Sequence, residues 1–155
     1  MTMPIKNHIA IVYPSGKIKI SDEQKQERIE NIKKLGFDVT DVSPSLPSQD
    51  GYTSGPVLER AAQLSFALTS RKFDVIMAAR GGVGTTELIP FLENMLPPVI
   101  SQKTFVGFSD NSFLGVYLAQ RFSNLRYIHG QMAFSENFFT GLARDRNAFL
   151  DLLND

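Results

Sequence analysis

A chain of 155 residues with 43% hydrophobic and 21% charged residues has the composition of one globular domain able to bury its own core, which excludes a disordered reading. Its 16 basic and 16 acidic side chains cancel, so no long-range field favours nucleic acid or an anionic membrane as partner. With no cysteine, disulfides and thiolate catalysis are excluded, and the composition fits a reducing compartment.

The amino-terminal pattern, Lys6 followed by the short apolar run Ile9 to Tyr13, lacks the longer apolar core of a signal peptide. No apolar run approaches the roughly 20 residues that span a bilayer, so the expectation is a soluble, cytoplasmic protein. His8 to Tyr13 (HIAIVY) predicts a strand buried on both faces, closed by the loop Pro14-Ser15-Gly16. Ser21-Asp22 then introduce a helix with Ile29, Ile32 and Leu35 at helical spacing and Gly36 as its stop.

Phe37 to Val42 alternates apolar and polar residues as an outer strand does. Ser43 to Gly55, rich in serine and proline, is a long loop of the kind that is usually functional or mobile. Pro56 suits the first position of a helix over 57–70, with Leu58, Ala61, Ala62, Leu64 or Ser65 and Leu68 as the expected buried stripe. Asp74 to Ala79 is the third strand, broken by Arg80-Gly81-Gly82-Val83-Gly84, and Thr85-Thr86-Glu87 start a helix that Pro90 must kink or restart.

After the connector Met95 to Gln102 come a fourth strand, Thr104 to Phe108, a helix, Asn111 to Phe122, and a fifth strand, Leu125 to His129. An aromatic loop, Gln131 to Gly141, precedes a last helix starting at Leu142 with the stripe Phe149, Leu150, Leu152 and Leu153. Alternating strands and helices predict an α/β domain: a flavodoxin-like, three-layer arrangement with a parallel sheet of about five strands and helices on both faces. Ligands in such sheets bind beyond the carboxyl ends of the strands, so the loops at 14–16, 80–84, 108–110 and 129–130 are expected to open on one edge.

Within that edge the chemistry-bearing residues admit more than one reading. The glycines of RGGVG can turn backbone amides toward an anion, either a phosphate or the oxyanion of an acyl-transfer intermediate, or can serve only close packing of strand and helix. The lysine of a phosphate-binding P-loop is missing and the spacing is not G-x-G-x-x-G. Ser109, between a strand and a helix, is placed as a hydrolase nucleophile, but equally as a helix N-cap, a role Asp110 or Asn111 can share; the second glycine of the G-x-S-x-G elbow is absent. Of two histidines, His8 falls at the wrong edge of the sheet and His129 at the right one, as a base or as a structural residue. Arg80 can bind a carboxylate or pair with a surface acid.

Four motifs in order, IAIVYPSG (9–16), ARGGVG (79–84), FVGFSDNS (105–112) and HGQM (129–132), resemble the LD-carboxypeptidase family of serine peptidases, which includes the microcin C immunity proteins. The resemblance implies Ser109 as nucleophile, with an oxyanion hole from the amides of Asp110 and of Gly81 or Gly82. Arg80, Ser15, Gly16 and His129 become substrate-binding candidates. It further implies a small peptide substrate cut near a free carboxylate, as in murein peptides, with no metal or organic cofactor.

Val83 and Phe108 stand where the family has tyrosine, and Gln131 where it has proline. Family members carry a second, carboxyl-terminal domain that supplies the Glu and His of a Ser-Glu-His triad, and residues 1–155 are expected to hold only the nucleophile-bearing domain. Loss of the base costs a serine hydrolase on the order of a million-fold in turnover, so the chain is expected to be nearly inactive alone and to self-associate, as a homodimer, through surface the second domain would cover. The alternative expectation is a non-catalytic module that binds a phosphate or carboxylate ligand, or an interaction domain.

Overall fold

A computed structural model describes residues 7–135 and 143–155. Five parallel strands, β1 (His8–Val12), β2 (Asp38–Val42), β3 (Val75–Ala78), β4 (Lys103–Gly107) and β5 (Leu125–His129), form one sheet in the order β2-β1-β3-β4-β5. That is the flavodoxin-like strand order, in which successive connections run to one side of β1 and then to the other. Among the described residues, no helix is long and apolar enough to cross a membrane.

The period of two in each strand divides the core. Ala10, Val12, Ile76 and Phe105 face one side and pack with Leu64 and Leu68 of α2 (Val57–Thr69), Leu92 of α3 (Ile89–Met95) and Leu114 and Leu118 of α4 (Asn111–Arg121). Ile9, Ile11, Val75, Met77 and Val106 face the other and meet Ile29 and Ile32 of α1 (Asp22–Lys34) and Phe149 and Leu153 of α5 (Ala143–Asn154). The three layers inferred from the alternation of elements are therefore present.

Local signals account for most helix ends. At α1 the Ser21 hydroxyl accepts from the Gln24 amide while the Gln24 side chain accepts from the Ser21 amide, a capping box. Pro56 holds extended backbone as the residue before α2 rather than its first helical residue. Pro90 restarts the chain: a 3-10 turn, Thr86–Leu88, runs into α3 with the proline in its first turn, where its missing N–H is no loss.

Two expected stripes need correction. In α2 the buried residues are Arg60, Ala61, Leu64, Ser65, Ala67 and Leu68, while Leu58 is 55% exposed and Ala62 lies in solvent. At 100° per residue, Leu58 and Ala62 sit about 120° and 160° from Leu64, outside the apolar arc. In α5, Phe149 and Leu153 are buried but Leu152 is half exposed. The expected helix start at Leu142 lies outside the described residues, as does the segment 136–141 of the aromatic loop.

Candidate active site

Parallel strands deliver the ends of β1, β3, β4 and β5 to the same edge, and the loops that follow them are joined there by direct contacts. The Gly16 amide donates to Gly81 O at 3.2 Å, and a Cβ on Gly16 would come within 2.7 Å of that oxygen, so the loop after β1 and the loop after β3 meet backbone to backbone. Gly82 (φ 132°) closes the same approach: its Cβ would lie 2.8 Å from the Gly16 Cα. Only glycine fits either position. The register pairs Gly107 with His129, which sets the loops after β4 and β5 side by side.

Ser109 follows β4 with φ 59°, a left-handed conformation and the one positive φ among the described non-glycine residues. Its hydroxyl does not cap α4: the N-cap of that helix is Asp110, and no side chain bonds a first-turn amide. Nor does it hydrogen-bond any other described residue. Gly81 packs against it, since a Cβ there would stand 3.1 Å from the Ser109 Cβ and 3.2 Å from its Oγ. The amides of Gly81, Gly82 and Asp110 find no acceptor among the described residues. A hydroxyl on a strained turn thus lies beside backbone amides, neither engaged among the described residues, a combination suited to acyl transfer.

The neighbouring side chains fix this turn. The Asp110 carboxylate accepts from the Ser15 hydroxyl at 2.6 Å and from the Thr85 amide at 3.1 Å. The buried Thr85 hydroxyl donates to Asp110 O at 2.8 Å. Asn111, fully buried, donates from Nδ2 to Arg80 O at 3.0 Å, which ties the start of α4 to the glycine loop. Ser15, 1% exposed, is therefore engaged with Asp110 and Val83 O.

Arg80 and His129 reach the same edge with different surroundings. Among the described residues the Arg80 side chain makes one hydrogen bond, from Nη1 to Lys17 O at 2.6 Å. His129 is exposed; its Nδ1 lies 3.4 Å from the Ser112 Oγ and 3.2 Å from the Tyr127 hydroxyl, and its ring centroid lies 6.1 Å from that of Phe108 with the planes tilted at 57°. It contacts Ser112, one helix residue away from the turn, and not Ser109. His8 sits at the amino end of β1 with its ring on the Thr40 hydroxyl, on the opposite edge.

The serine- and proline-rich loop is held by two acids, Asp50 within it and Glu59 of α2. Asp50 accepts from the Tyr52 and Thr53 amides, both at 2.8 Å, and these bonds hold its carboxyl well below the usual carboxylate range. Glu59 does the same for Ser45 and Leu46, and its carboxyl is likewise lowered, chiefly by the Ser45 hydroxyl. The loop docks on the site through Ser54 N to Ser15 O at 3.0 Å and Lys17 N to Tyr52 O at 2.8 Å.

One residue that the sequence patterns left unassigned anchors several of these loops. Arg60 is 2% exposed, and its guanidinium bonds Gly55 O, Pro14 O, Gly84 O and the Glu87 carboxylate. A signal existed: Arg60 stands four residues before Leu64, on the buried side of α2. Among the described residues no group of three His, Cys, Asp or Glu side chains is placed to hold a metal ion.

A parallel sheet of this order with a left-handed serine at a strand-to-helix turn defines an α/β domain of the flavodoxin-like kind. Residues 9–130 match the LD-carboxypeptidase N-terminal domain, and the chain belongs to that family. A Streptomyces coelicolor protein whose name makes it a provisional carboxypeptidase is 30% identical over 132 residues, 84% of this chain and 42% of that protein. An MccF-like protein from Streptococcus pneumoniae, solved with AMP, superposes with a TM-score of 0.77 at 27% identity over 96% of this chain and 45% of its own. A muramoyltetrapeptide carboxypeptidase from Oxalobacter formigenes gives 0.73 at 25% identity over 94% of this chain and 47% of its own. The chain spans a little under half the length of these relatives.

Proposed function

We propose that the chain is the nucleophile-bearing half of a serine peptidase of the LD-carboxypeptidase kind, acting on small murein-like peptides with a free carboxylate. One observation carries the reading: Ser109 holds left-handed backbone against Gly81, and neither its hydroxyl nor the amides beside it have a hydrogen-bond partner among the described residues.

In the proposed reaction the Ser109 Oγ gives up its proton to a general base and bonds the scissile carbonyl carbon. The carbonyl electron pair moves onto oxygen, where the amides of Asp110 and of Gly81 or Gly82 receive it. The amine leaves with a proton, and water then cleaves the acyl-serine. His129 is engaged with Ser112 and Tyr127, which favours a base from elsewhere, namely the Glu and His of the family's second domain. Arg80, anchored by Lys17 O, is assigned the substrate carboxylate, with Ser15 and Gly16 shaping the floor. Self-association of the lone domain belongs to the same reading, through the surface that the second domain covers.

The test compares this chain alone with the chain joined to its natural carboxyl-terminal half, on an L,D-peptide with a free carboxylate. The joined protein is expected to hydrolyse it, the lone domain to be slower by up to about a million-fold, and Ser109→Ala to abolish the difference. A Ser109→Ala protein with full activity would overturn the proposal.

A further inference from the structure

The geometry points to Arg60 as a positioning residue: its buried guanidinium clamps the glycine loop, whose Gly81 and Gly82 amides belong to the proposed oxyanion hole, to the loop after β1 and the serine- and proline-rich loop, and so sets where those amides lie. This rests on the serine-peptidase reading above for its consequence, but the clamp itself stands on contacts. Nε donates to Gly55 O at 2.8 Å, at the end of the serine- and proline-rich loop. Nη1 donates to Pro14 O at 2.8 Å in the loop after β1 and to Gly84 O at 3.1 Å in the glycine loop. Nη2 meets Glu87 Oε2 at 2.9 Å.

The side chain is 1% exposed while Glu87 is 59% exposed, so a buried cation is matched mainly by carbonyl dipoles from three separate segments. Such a charge is stable only where its donors are all received, which makes the loop positions and the arginine mutually dependent. The fit is close. Gly84 has φ 105°, and a Cβ on it would lie 3.0 Å from Nη1. The glycine loop is thereby held at its far end by Arg60 and at its near end by Gly16 N on Gly81 O and Asn111 Nδ2 on Arg80 O. Between these pins lie the amides of Gly81 and Gly82. Lysine cannot reproduce the clamp, because a single ammonium lacks the planar fork that reaches three carbonyls at once.

A clamp that places amides for a transition state acts on kcat more than on KM, and displacement of about 1 Å is worth about a hundredfold. The experiment uses the chain joined to its carboxyl-terminal half, with Arg60→Lys, Glu87→Ala and Ser109→Ala measured side by side for kcat and KM on the L,D-peptide, together with amide hydrogen exchange of 14–16, 53–55 and 81–84. Arg60→Lys is expected to lower kcat about tenfold or more at nearly unchanged KM and to speed exchange in all three loops, while Glu87→Ala does both to a smaller degree. If Arg60→Lys does not fold, Glu87→Ala decides by the same two readouts. Unchanged kcat and exchange in the folded variants overturn the clamp. Full activity of Ser109→Ala overturns the serine-peptidase reading instead, and the exchange result then judges the clamp alone.

Discussion

Ser109, the proposed nucleophile, carries a conformational cost, because left-handed backbone on a non-glycine residue is unfavourable by about 1–3 kcal/mol. That strain turns the hydroxyl away from the helix amides it would otherwise cap. Relief of it is measurable. Ser109→Gly is expected to be more stable than Ser109→Ala by roughly 0.5–1 kcal/mol in urea denaturation, the gain in the folded state exceeding glycine's extra chain entropy when unfolded. Equal stability of the two variants would mean the turn stores no strain. Gly81 tests the space beside the proposed nucleophile: the Cβ of Gly81→Ala would crowd Ser109 at 3.1–3.2 Å. Labelling of Ser109 by a fluorophosphonate is expected to slow at least about tenfold, with the melting temperature little changed; unaltered labelling would show that the approach is looser. The candidate nucleophile was legible in G-F-S-D, yet residues alone could not separate it from an N-cap, since that choice is a matter of φ and of where one hydroxyl points. Arg60 was unmarked for a related reason: a charge on a helix reads as solvated unless the carbonyls that bury it, from residues 14, 55 and 84, are known to converge.

At the level of elements, β1 is followed by a residue, Tyr13, that joins sheet, helix and loop. Tyr13 is 5% exposed, and its hydroxyl donates to Asp41 Oδ1 at 2.7 Å, with Lys25 of α1 on the same carboxylate at 2.6 Å. Burial first, and the Asp41 charge second, push the phenol well above its ordinary range. The folded state therefore disfavours the phenolate, so this contribution to stability is full below the unfolded phenol's pKa near 10 and is lost as the pH climbs above it. Tyr13→Phe is expected to flatten the decline of the melting temperature between about pH 9 and 11; an unchanged slope would remove Tyr13 from that role. Strand positions were legible to within a residue because β-branched runs bounded by glycine and proline leave little choice. The stripe of α2 was legible at Ala61, Leu64, Ser65 and Leu68 but not at its edges, because Leu58 and Ala62 are apolar by composition yet lie on the wrong arc, while Arg60 shares the buried one.

For the molecule as a whole, the alternation of strand and helix was enough to anticipate a three-layer parallel sheet, and the rule on carboxyl edges placed the four loops together before any contact was known. The register of the strands and the bonds that lace the loops needed the structure, being long-range pairings that no local pattern encodes. The family matched by residues 9–130 and the relatives, each about twice as long, give the site its context. The most direct measurement of the central claim is the site of covalent modification. Treated with a fluorophosphonate, the chain joined to its carboxyl-terminal half should carry the adduct on Ser109 and lose peptidase activity in proportion to it. An adduct on any other residue, with Ser109 left unmodified as activity disappears, would contradict the assignment of Ser109 as the nucleophile.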